Sequence, residues 1–261
     1  GEDEVEKLLR HGEGWLEGHP ERKFIANRYF SKGRRFARMA LDRMEDSVCG
    51  AVEETLDEAG VANLNARRLE AVVTILRERG ARSVIDLGCG EGNLLRLLLK
   101  DRAFERIAGT DVSRAALERA ARRLNFDEMS DAERKRLVLF QGSLTYRDER
   151  FGGYDAATCT EVLEHIDLNR LSAFADVVFG EARPGIVVLT TPNVEYNEKF
   201  GRLDGGLRHG DHRFEWTRER FREWGDSIAG KYGYFATYSE IGDMDEDLGA
   251  QTQMGVFELC G

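Results

Sequence analysis

Hydrophobic residues between positions 80 and 190 alternate between short continuous runs and helical spacing. The short runs predict β-strands at 83–87, 106–110, 137–141, 154–159 and 186–190. Apolar residues with a helical period lie between these runs and predict helices at about 92–101, 113–124, 161–165 and 169–180. Strands that alternate with helices build a mostly parallel sheet covered on both faces, so the sequence predicts an α/β domain.

The segment before this alternation is helical in pattern. Residues 64–79 form one predicted helix, and Gly80 follows it as the C-terminal cap. Four apolar residues share one face of that helix: Leu69, Val72, Val73 and Leu76. Residues 1–60 also show mixed three- and four-residue spacing. This pattern predicts an N-terminal helical extension at 1–60 and a main domain at 61–261.

The tail of the chain has a different order of elements. A predicted helix near 217–231 precedes two strand patterns, at 234–241 and 252–259. These two segments are close enough in sequence to pair antiparallel. We therefore expect the sheet to be mostly parallel with an antiparallel last strand.

The charge of the chain limits how it can contact nucleic acids. The 261 residues carry a formal net charge of −10. This charge argues against sequence-independent coating of a nucleic acid, which needs an extended basic surface. Local contact with a nucleic-acid end stays open, because several arginines form basic islands: Arg34, Arg35, Arg38, Arg202, Arg208, Arg213, Arg218 and Arg220.

Cysteine spacing and hydropathy exclude several classes of protein. The four cysteines are far apart, so no disulfide framework or zinc ribbon follows from them. No apolar stretch approaches the length of a membrane span, and the start of the chain is acidic rather than signal-like. These features predict a cytoplasmic protein without a membrane partner.

A glycine-rich turn follows the first predicted strand, in Asp86-Leu87-Gly88-Cys89-Gly90-Glu91-Gly92-Asn93. Glycine allows the backbone to approach a ligand and to adopt positive φ. A dinucleotide-binding motif would have glycine or alanine in place of Asn93, which weakens a phosphate-binding interpretation. Asp86 would repel a pyrophosphate but favour the cationic part of an amino-acid-bearing nucleoside. Asp111 ends the second strand, where a carboxylate can accept both hydroxyls of a ribose.

A second candidate site follows the fourth predicted strand, in Thr160-Glu161-Val162-Leu163-Glu164-His165. If this segment is helical, Glu161, Glu164 and His165 share one face. His212, far along the chain, is a fourth candidate ligand. Carboxylate and imidazole ligands together suit manganese, iron or zinc better than calcium or magnesium alone. The alternative is that the glutamates favour the positive end of a short helix while His165 hydrogen-bonds in a loop.

The glycine turn and Asp111 together resemble the class I S-adenosylmethionine-dependent methyltransferases, which have a Rossmann-like fold. In such enzymes the end of the third strand usually holds the adenine, and the end of the fourth lies against the methyl group. A helix N-cap is the alternative role for Asp111, but Ser113 fits that role better. The resemblance implies that S-adenosylmethionine is bound by Asp86, Gly88, Gly90, Asp111, Ser143, Leu144 and Thr160.

Three further segments resemble the small-RNA 3′-terminal 2′-O-methyltransferase family: Glu161–His165, Thr191–Asn197 and Asp211–Arg218. The resemblance covers about residues 62–260. It implies a metal ion, most often manganese, with magnesium or cobalt as alternatives, bridging the 2′ and 3′ hydroxyls of the terminal ribose. The implied metal ligands, which are also the implied catalytic residues, are Glu161, Glu164, His165 and His212.

The same resemblance implies particular partners. Bacterial members of the family act in RNA repair beside a kinase-phosphatase-ligase, so we expect an RNA 3′ end as substrate and a repair enzyme of that kind as partner. The helical extension before residue 60 resembles the extra segment of the bacterial members. We expect the half that activates the partner to lie upstream of this segment and to be absent from the sequence.

The sequence alone leaves other interpretations open. His209 rivals His212 as the fourth ligand, although Asp211-His212 fits the family pattern better. Arg208 and Arg213 could hold phosphates, but exposed arginines are usually just solvated. The chain could also be a metal-independent small-molecule O- or N-methyltransferase, or a non-catalytic nucleoside-binding subunit of a repair complex.

Overall fold

A computed structural model describes residues 58–200 and 207–260. Most of the predicted helical extension at 1–60 lies outside the described residues, and the division of the chain near residue 60 stays a prediction. The described residues from Ala62 onward belong to one compact unit. Among the described residues, none of the helices has the length and apolar character needed to cross a membrane.

A seven-stranded sheet in the order β3-β2-β1-β4-β5-β7-β6 is the centre of this unit. β1 to β5 run parallel to one another, whereas β7 pairs antiparallel with both β5 and β6. The strands are β1 Ser83–Leu87, β2 Arg106–Asp111, β3 Leu137–Gln141, β4 Ala156–Thr160, β5 Ile186–Pro192, β6 Tyr234–Ile241 and β7 Thr252–Leu259. The predicted fold, a Rossmann-like mostly parallel sheet with an antiparallel last strand, is confirmed.

Helices connect the strands and cover the sheet. They are α1 Glu58–Glu78, α2 Asn93–Lys100, α3 Arg114–Arg123, α4 Asp131–Arg136, α5 Leu171–Ala175 and α6 Arg218–Tyr232. Gly80 adopts φ 69° after α1, and the amide of Ala81 donates to the Leu76 carbonyl, which confirms the predicted cap.

Two helices differ from the sequence prediction. The segment 161–165 is not one helix: Glu161 has φ 53°, and a single 3₁₀ turn covers Leu163–His165. The segment 169–180 is divided among a 3₁₀ turn, α5 and a π-helix at Asp176–Ala182. Apolar spacing cannot separate these related helical types, because all three place residues three to five apart on one face.

The core lies on both faces of the central strands. Alternate residues of a strand point to opposite faces, and accordingly Val84 packs in one apolar cluster while Ile85 packs in the other. The cluster that contains Val84 includes the buried faces of α1 and α2, and the cluster that contains Ile85 includes residues of α5 and α6. Burial on both faces explains why these strands read as continuous apolar runs. Their carboxyl ends, which carry the candidate residues, meet at one edge of the sheet.

Candidate active site

The glycine turn after β1 needs the freedom of glycine. Gly88, Gly90 and Gly92 have φ values of 83°, 51° and 78°. A Cβ at Gly88 would lie 2.6 Å from Cγ2 of Val162, in the loop after β4. The turn is therefore packed directly against the segment that carries Glu161 and Glu164.

Asp111 faces this turn from the end of β2. Its Oδ2 accepts a hydrogen bond from the Gly90 amide at 2.9 Å, and its Oδ1 accepts from the Ser113 amide at 2.8 Å. Ser113 caps α3, because its Oγ accepts from the Ala116 amide at 3.2 Å. The cap role thus belongs to Ser113, as predicted, and Asp111 is positioned at the glycine turn.

Asp86 is a buried acid beneath the turn, only 3% exposed. Thr158 donates to its Oδ1 at 2.8 Å. The pKa of Asp86 is raised to about 7, mainly by burial. The Thr158 hydrogen bond opposes this shift, and the charge of Asp111 adds to it. Asp86 is not in an ion pair with any cation of the described residues. A cationic ligand would therefore offset the cost of its buried charge, and this environment fits the ammonium group of an amino-acid-bearing nucleoside.

The other predicted cofactor residues lie at the ends of β3 and β4. Thr160 Oγ1 is buried and has no hydrogen-bond partner among the described residues, so a polar group is left for a ligand. Ser143 Oγ lies 3.3 Å from Thr145 Oγ1, and Leu144 is partly buried against the core. These positions border the same edge of the sheet as the glycine turn.

Three of the four predicted metal ligands lie together. Glu164, His165 and His212 each place a ligand atom within 4.8 Å of the others. The His165 and His212 rings are 4.9 Å apart, and the Arg213 amide donates to the Glu164 carbonyl at 2.7 Å, which ties the distant segment to the turn after β4. This backbone hydrogen bond holds His212 near Glu164 and His165, although they are far apart in the sequence.

Glu164 is fully buried, and only one of its carboxylate oxygens is satisfied. Thr191 donates to Oε2 at 3.0 Å, whereas Oε1 is buried without a partner among the described residues. Burial raises the pKa of Glu164 well above its usual range, and the nearby charge of Glu161 raises it further. An unpartnered buried oxygen beside two imidazoles fits a divalent cation, since the cation would satisfy the oxygen and compensate its charge.

Glu161 lies close to this group but has other partners. Its Oε2 forms an ion pair with Arg68 of α1 at 3.1 Å, and its Oε1 accepts from Thr190 at 3.0 Å. Arg68 also donates to Thr252 on β7 at 3.0 Å. The structure therefore places Glu161 on a guanidinium rather than within the group formed by Glu164, His165 and His212. No sequence signal indicated Arg68, because it lies 93 positions before Glu161.

His212 is buried against a second carboxylate. Its Nδ1 lies 2.6 Å from Oε1 of Glu215, whose side chain has no exposed surface. Sequence reasoning assigned no role to Glu215, although its spacing of three residues from His212 was a usable signal. His209 is exposed, and its ring is 5.1 Å from that of His212. Among the described residues, His209 does not join the candidate metal group.

The two arginines near this site differ from each other. Arg208 is partly buried, and its guanidinium donates to Asn197 Oδ1 at 2.6 Å and to the Asn193 carbonyl at 2.8 Å. Burial lowers its pKa, while the charge of Glu215 raises it. Arg213 is exposed and lies 3.4 Å from Asp167. Arg208 is thus a structural part of the site rather than a solvated side chain.

Comparison with family models gives two matches. Residues 56–228 match a model described as a methyltransferase domain. Residues 1–45 match a model described as the RNA repair, ligase-Pnkp-associating region of Hen1. The second match falls within the predicted helical extension at 1–60.

Curated relatives of this chain are described as small RNA 2′-O-methyltransferases. A small RNA 2′-O-methyltransferase of Rattus norvegicus is 34% identical over 206 residues, which cover 76% of this chain and 52% of the relative. One from Arabidopsis thaliana is 31% identical over 227 residues, covering 80% of this chain and 24% of the relative. The chain thus spans about half the length of the animal relatives and about a quarter of the plant one.

Solved structures give a closer match. The methyltransferase domain of bacterial CtHen1 is 55% identical, with a TM-score of 0.70, and the match covers 76% of this chain and all of that one. The small RNA methyltransferase HEN1 is 32% identical with a TM-score of 0.69, over 75% of this chain and 26% of that one. A Pnkp1/Rnl/Hen1 RNA repair complex, at 19% identity and a TM-score of 0.56, shares the fold.

Proposed function

The chain belongs to the family of small-RNA 2′-O-methyltransferases that includes bacterial Hen1, and from this membership we propose that it methylates the 2′-hydroxyl of the 3′-terminal nucleotide of RNA. The observation that carries the proposal is the position of two groups at one edge of the sheet. The glycine turn with Asp86 and Asp111 forms one group, and Glu164, His165 and His212 form the other. Gly88 and Val162 pack these groups against each other.

We assign S-adenosylmethionine to the first group. Asp111 would accept the ribose hydroxyls, and Asp86 would lie near the ammonium group, since its buried carboxylate has no other cation in the described residues. Gly88 and Gly90 let the backbone pass close to the cofactor. Ser143 and Leu144 would border the adenine, and Thr160 would lie beside the methyl group with its unpartnered hydroxyl.

We assign a divalent metal, most simply Mn²⁺ with Mg²⁺ or Co²⁺ as alternatives, to the second group. Glu164, His165 and His212 would hold it, and Glu161 would join them by giving up Arg68. Such an ion lowers the pKa of a bound hydroxyl and fixes its orientation. The protein itself would orient the 3′-terminal ribose toward the methyl group beside the buried Glu164.

The biological setting is part of the proposal. The matched region at residues 1–45 supports association with an RNA-repair kinase-phosphatase-ligase, because the model it matches is described by that association. Methylation would have to precede the ligation step of such a partner, because ligation joins the 3′ end and leaves no terminal nucleotide there. A cytoplasmic location stays a prediction.

Chemical analysis of the RNA end tests the proposed reaction. Periodate cleaves only a free vicinal diol, so RNA treated with the protein, S-adenosylmethionine and Mn²⁺ should resist periodate and β-elimination. A matched RNA with a 2′-deoxy terminal sugar should accept no methyl group. Unchanged periodate sensitivity in the full reaction would contradict the assignment, and equal methylation without metal would favour a metal-independent enzyme.

A further inference from the structure

Glu215 is buried behind His212 and has no exposed side-chain surface. His212 itself is also buried, and its Nδ1 lies 2.6 Å from Glu215 Oε1. A carboxylate oxygen only accepts hydrogen bonds, so this distance requires a proton on Nδ1. With the proton on Nδ1, the lone pair available to a metal is on Nε2.

From these contacts we infer that Glu215 is a positioning residue that holds His212 in the tautomer able to bind a metal through Nε2. The inference rests on the proposed metal site, because a bound metal is what would require a free lone pair on Nε2. Carboxylates that accept the second nitrogen of a ligating histidine fix the ring and raise its basicity.

The hydrogen-bonding groups around Glu215 suit a carboxylate better than an amide of the same shape. Besides His212, Oε1 accepts from the Arg208 amide at 2.6 Å, and Oε2 accepts from Asn197 Nδ2 at 2.7 Å. Asn197 cannot reverse its amide without cost, because its Oδ1 accepts from Arg208 Nε at 2.6 Å. Both oxygens of Glu215 therefore face donors. An amide nitrogen at either position would meet a donor with a donor.

The other histidine of the group has no comparable support. His165 is exposed, and its Nδ1 lies 3.4 Å from both the carbonyl and the Oδ2 of Asp211. Hydrogen bonds of that length are weak, and the Asp211 side chain is itself exposed. The two imidazoles thus differ in how firmly the protein fixes them, and only His212 is held by a buried acceptor.

Histidine-detected ¹⁵N NMR of the full chain without metal tests the inference directly. In the wild type, His212 should show a proton on Nδ1 and none on Nε2. In Glu215→Ala, which removes the acceptor, the Nδ1 tautomer should be lost or mixed with the Nε2 tautomer. The exposed Glu219→Ala is the matched control and should keep the wild-type pattern. A wild-type His212 with its proton on Nε2 would overturn the inference without reference to any variant.

Metal binding gives the second measurement. Mn²⁺ titration followed by electron paramagnetic resonance should show affinity on the order of 10- to 100-fold lower in Glu215→Ala, with S-adenosylmethionine affinity unchanged as evidence of an intact fold. Unchanged tautomer and unchanged Mn²⁺ affinity in Glu215→Ala would overturn the role of Glu215. If the wild type binds no Mn²⁺, the proposed metal site fails, while the NMR spectra still decide whether Glu215 fixes the His212 tautomer.

Discussion

The two halves of the candidate site are built in different ways. At the ends of β1 and β2, one turn and one loop form the cofactor half, and its contacts are mostly backbone hydrogen bonds to Asp111. At the ends of β4 and β5, buried side chains from distant segments form the other half, where His212 follows Glu164 by 48 positions. The first half therefore depends on local conformation, whereas the second depends on how segments far apart in sequence pack together.

The largest effect should come from removing a ligand of the second half. His212→Ala should lower methyl transfer by about 1,000-fold or more, because an organised metal supplies several kcal/mol of stabilisation to the reacting oxygen. S-adenosylmethionine affinity should remain, since the cofactor half does not depend on His212. Single-turnover transfer to a short RNA, with calorimetry for the cofactor, measures both.

His209→Ala is the control for that experiment, since His209 is exposed and close in sequence. It should retain most activity. The two halves of the site are not independent if His212→Ala weakens cofactor binding as strongly as it weakens methyl transfer. The assignment of the fourth ligand is wrong if His209→Ala, and not His212→Ala, removes metal and activity.

A smaller effect, on stability, should come from the buried acid of the cofactor half. The folded pKa of Asp86 is raised to about 7, against about 3.9 in an unfolded chain, so the folded state binds more protons between these values. The free energy of unfolding of the cofactor-free protein should therefore fall as pH rises through this window. Asp86→Asn should remove that penalty and stabilise the cofactor-free protein above pH 7, by at most about 4 kcal/mol.

Urea unfolding at pH 5 and pH 8 measures this difference. The advantage of Asp86→Asn should be larger at pH 8, while the exposed Asp127→Asn should show no such pH dependence. Asp86→Asn should also bind S-adenosylmethionine more weakly, because the cationic ligand loses its buried partner. A variant destabilised equally at both pH values would contradict the role given to burial.

The smallest of the three effects concerns Asp111. Asp111→Ala should weaken S-adenosylmethionine binding by about 1 to 3 kcal/mol, the cost of leaving buried polar partners unpaired. Ser113→Ala removes only the cap of α3 and should cost about 1 kcal/mol of stability with little change in cofactor affinity. Calorimetry on both variants sharpens the division between binding and capping at the end of β2. Wild-type affinity in Asp111→Ala would remove it from the cofactor half.

The sequence predicted much of the fold because the signals for it are local. Five parallel strands, the cap at Gly80 and the antiparallel β6–β7 pair follow from apolar runs, glycine and short connections. The closeness of the glycine turn to Asp111 was predictable for the same reason. The glycines of the turn and Asp111 lie within two adjacent strand ends.

For the candidate metal group, the sequence predicted three residues that the structure brings together, Glu164, His165 and His212, but not their geometry. The spacing of Glu161, Glu164 and His165 suggested one helical face, but Glu161 adopts a positive φ and turns its carboxylate to Arg68. That ion pair joins α1 to the turn after β4 and leaves no trace in spacing. Glu215 acts through a contact three residues away, and only the fold shows that its side chain is buried.

The contact between Gly88 and Val162 has a consequence for building chimaeras from related enzymes. Because a Cβ at position 88 would lie 2.6 Å from the Val162 side chain, the glycine turn and the loop after β4 form a complementary pair of surfaces. An exchange of either segment between homologues would have to keep that complementarity, whatever substrate preference it is meant to transfer. We therefore expect chimaeras that exchange both segments together to fold better than chimaeras that exchange only one.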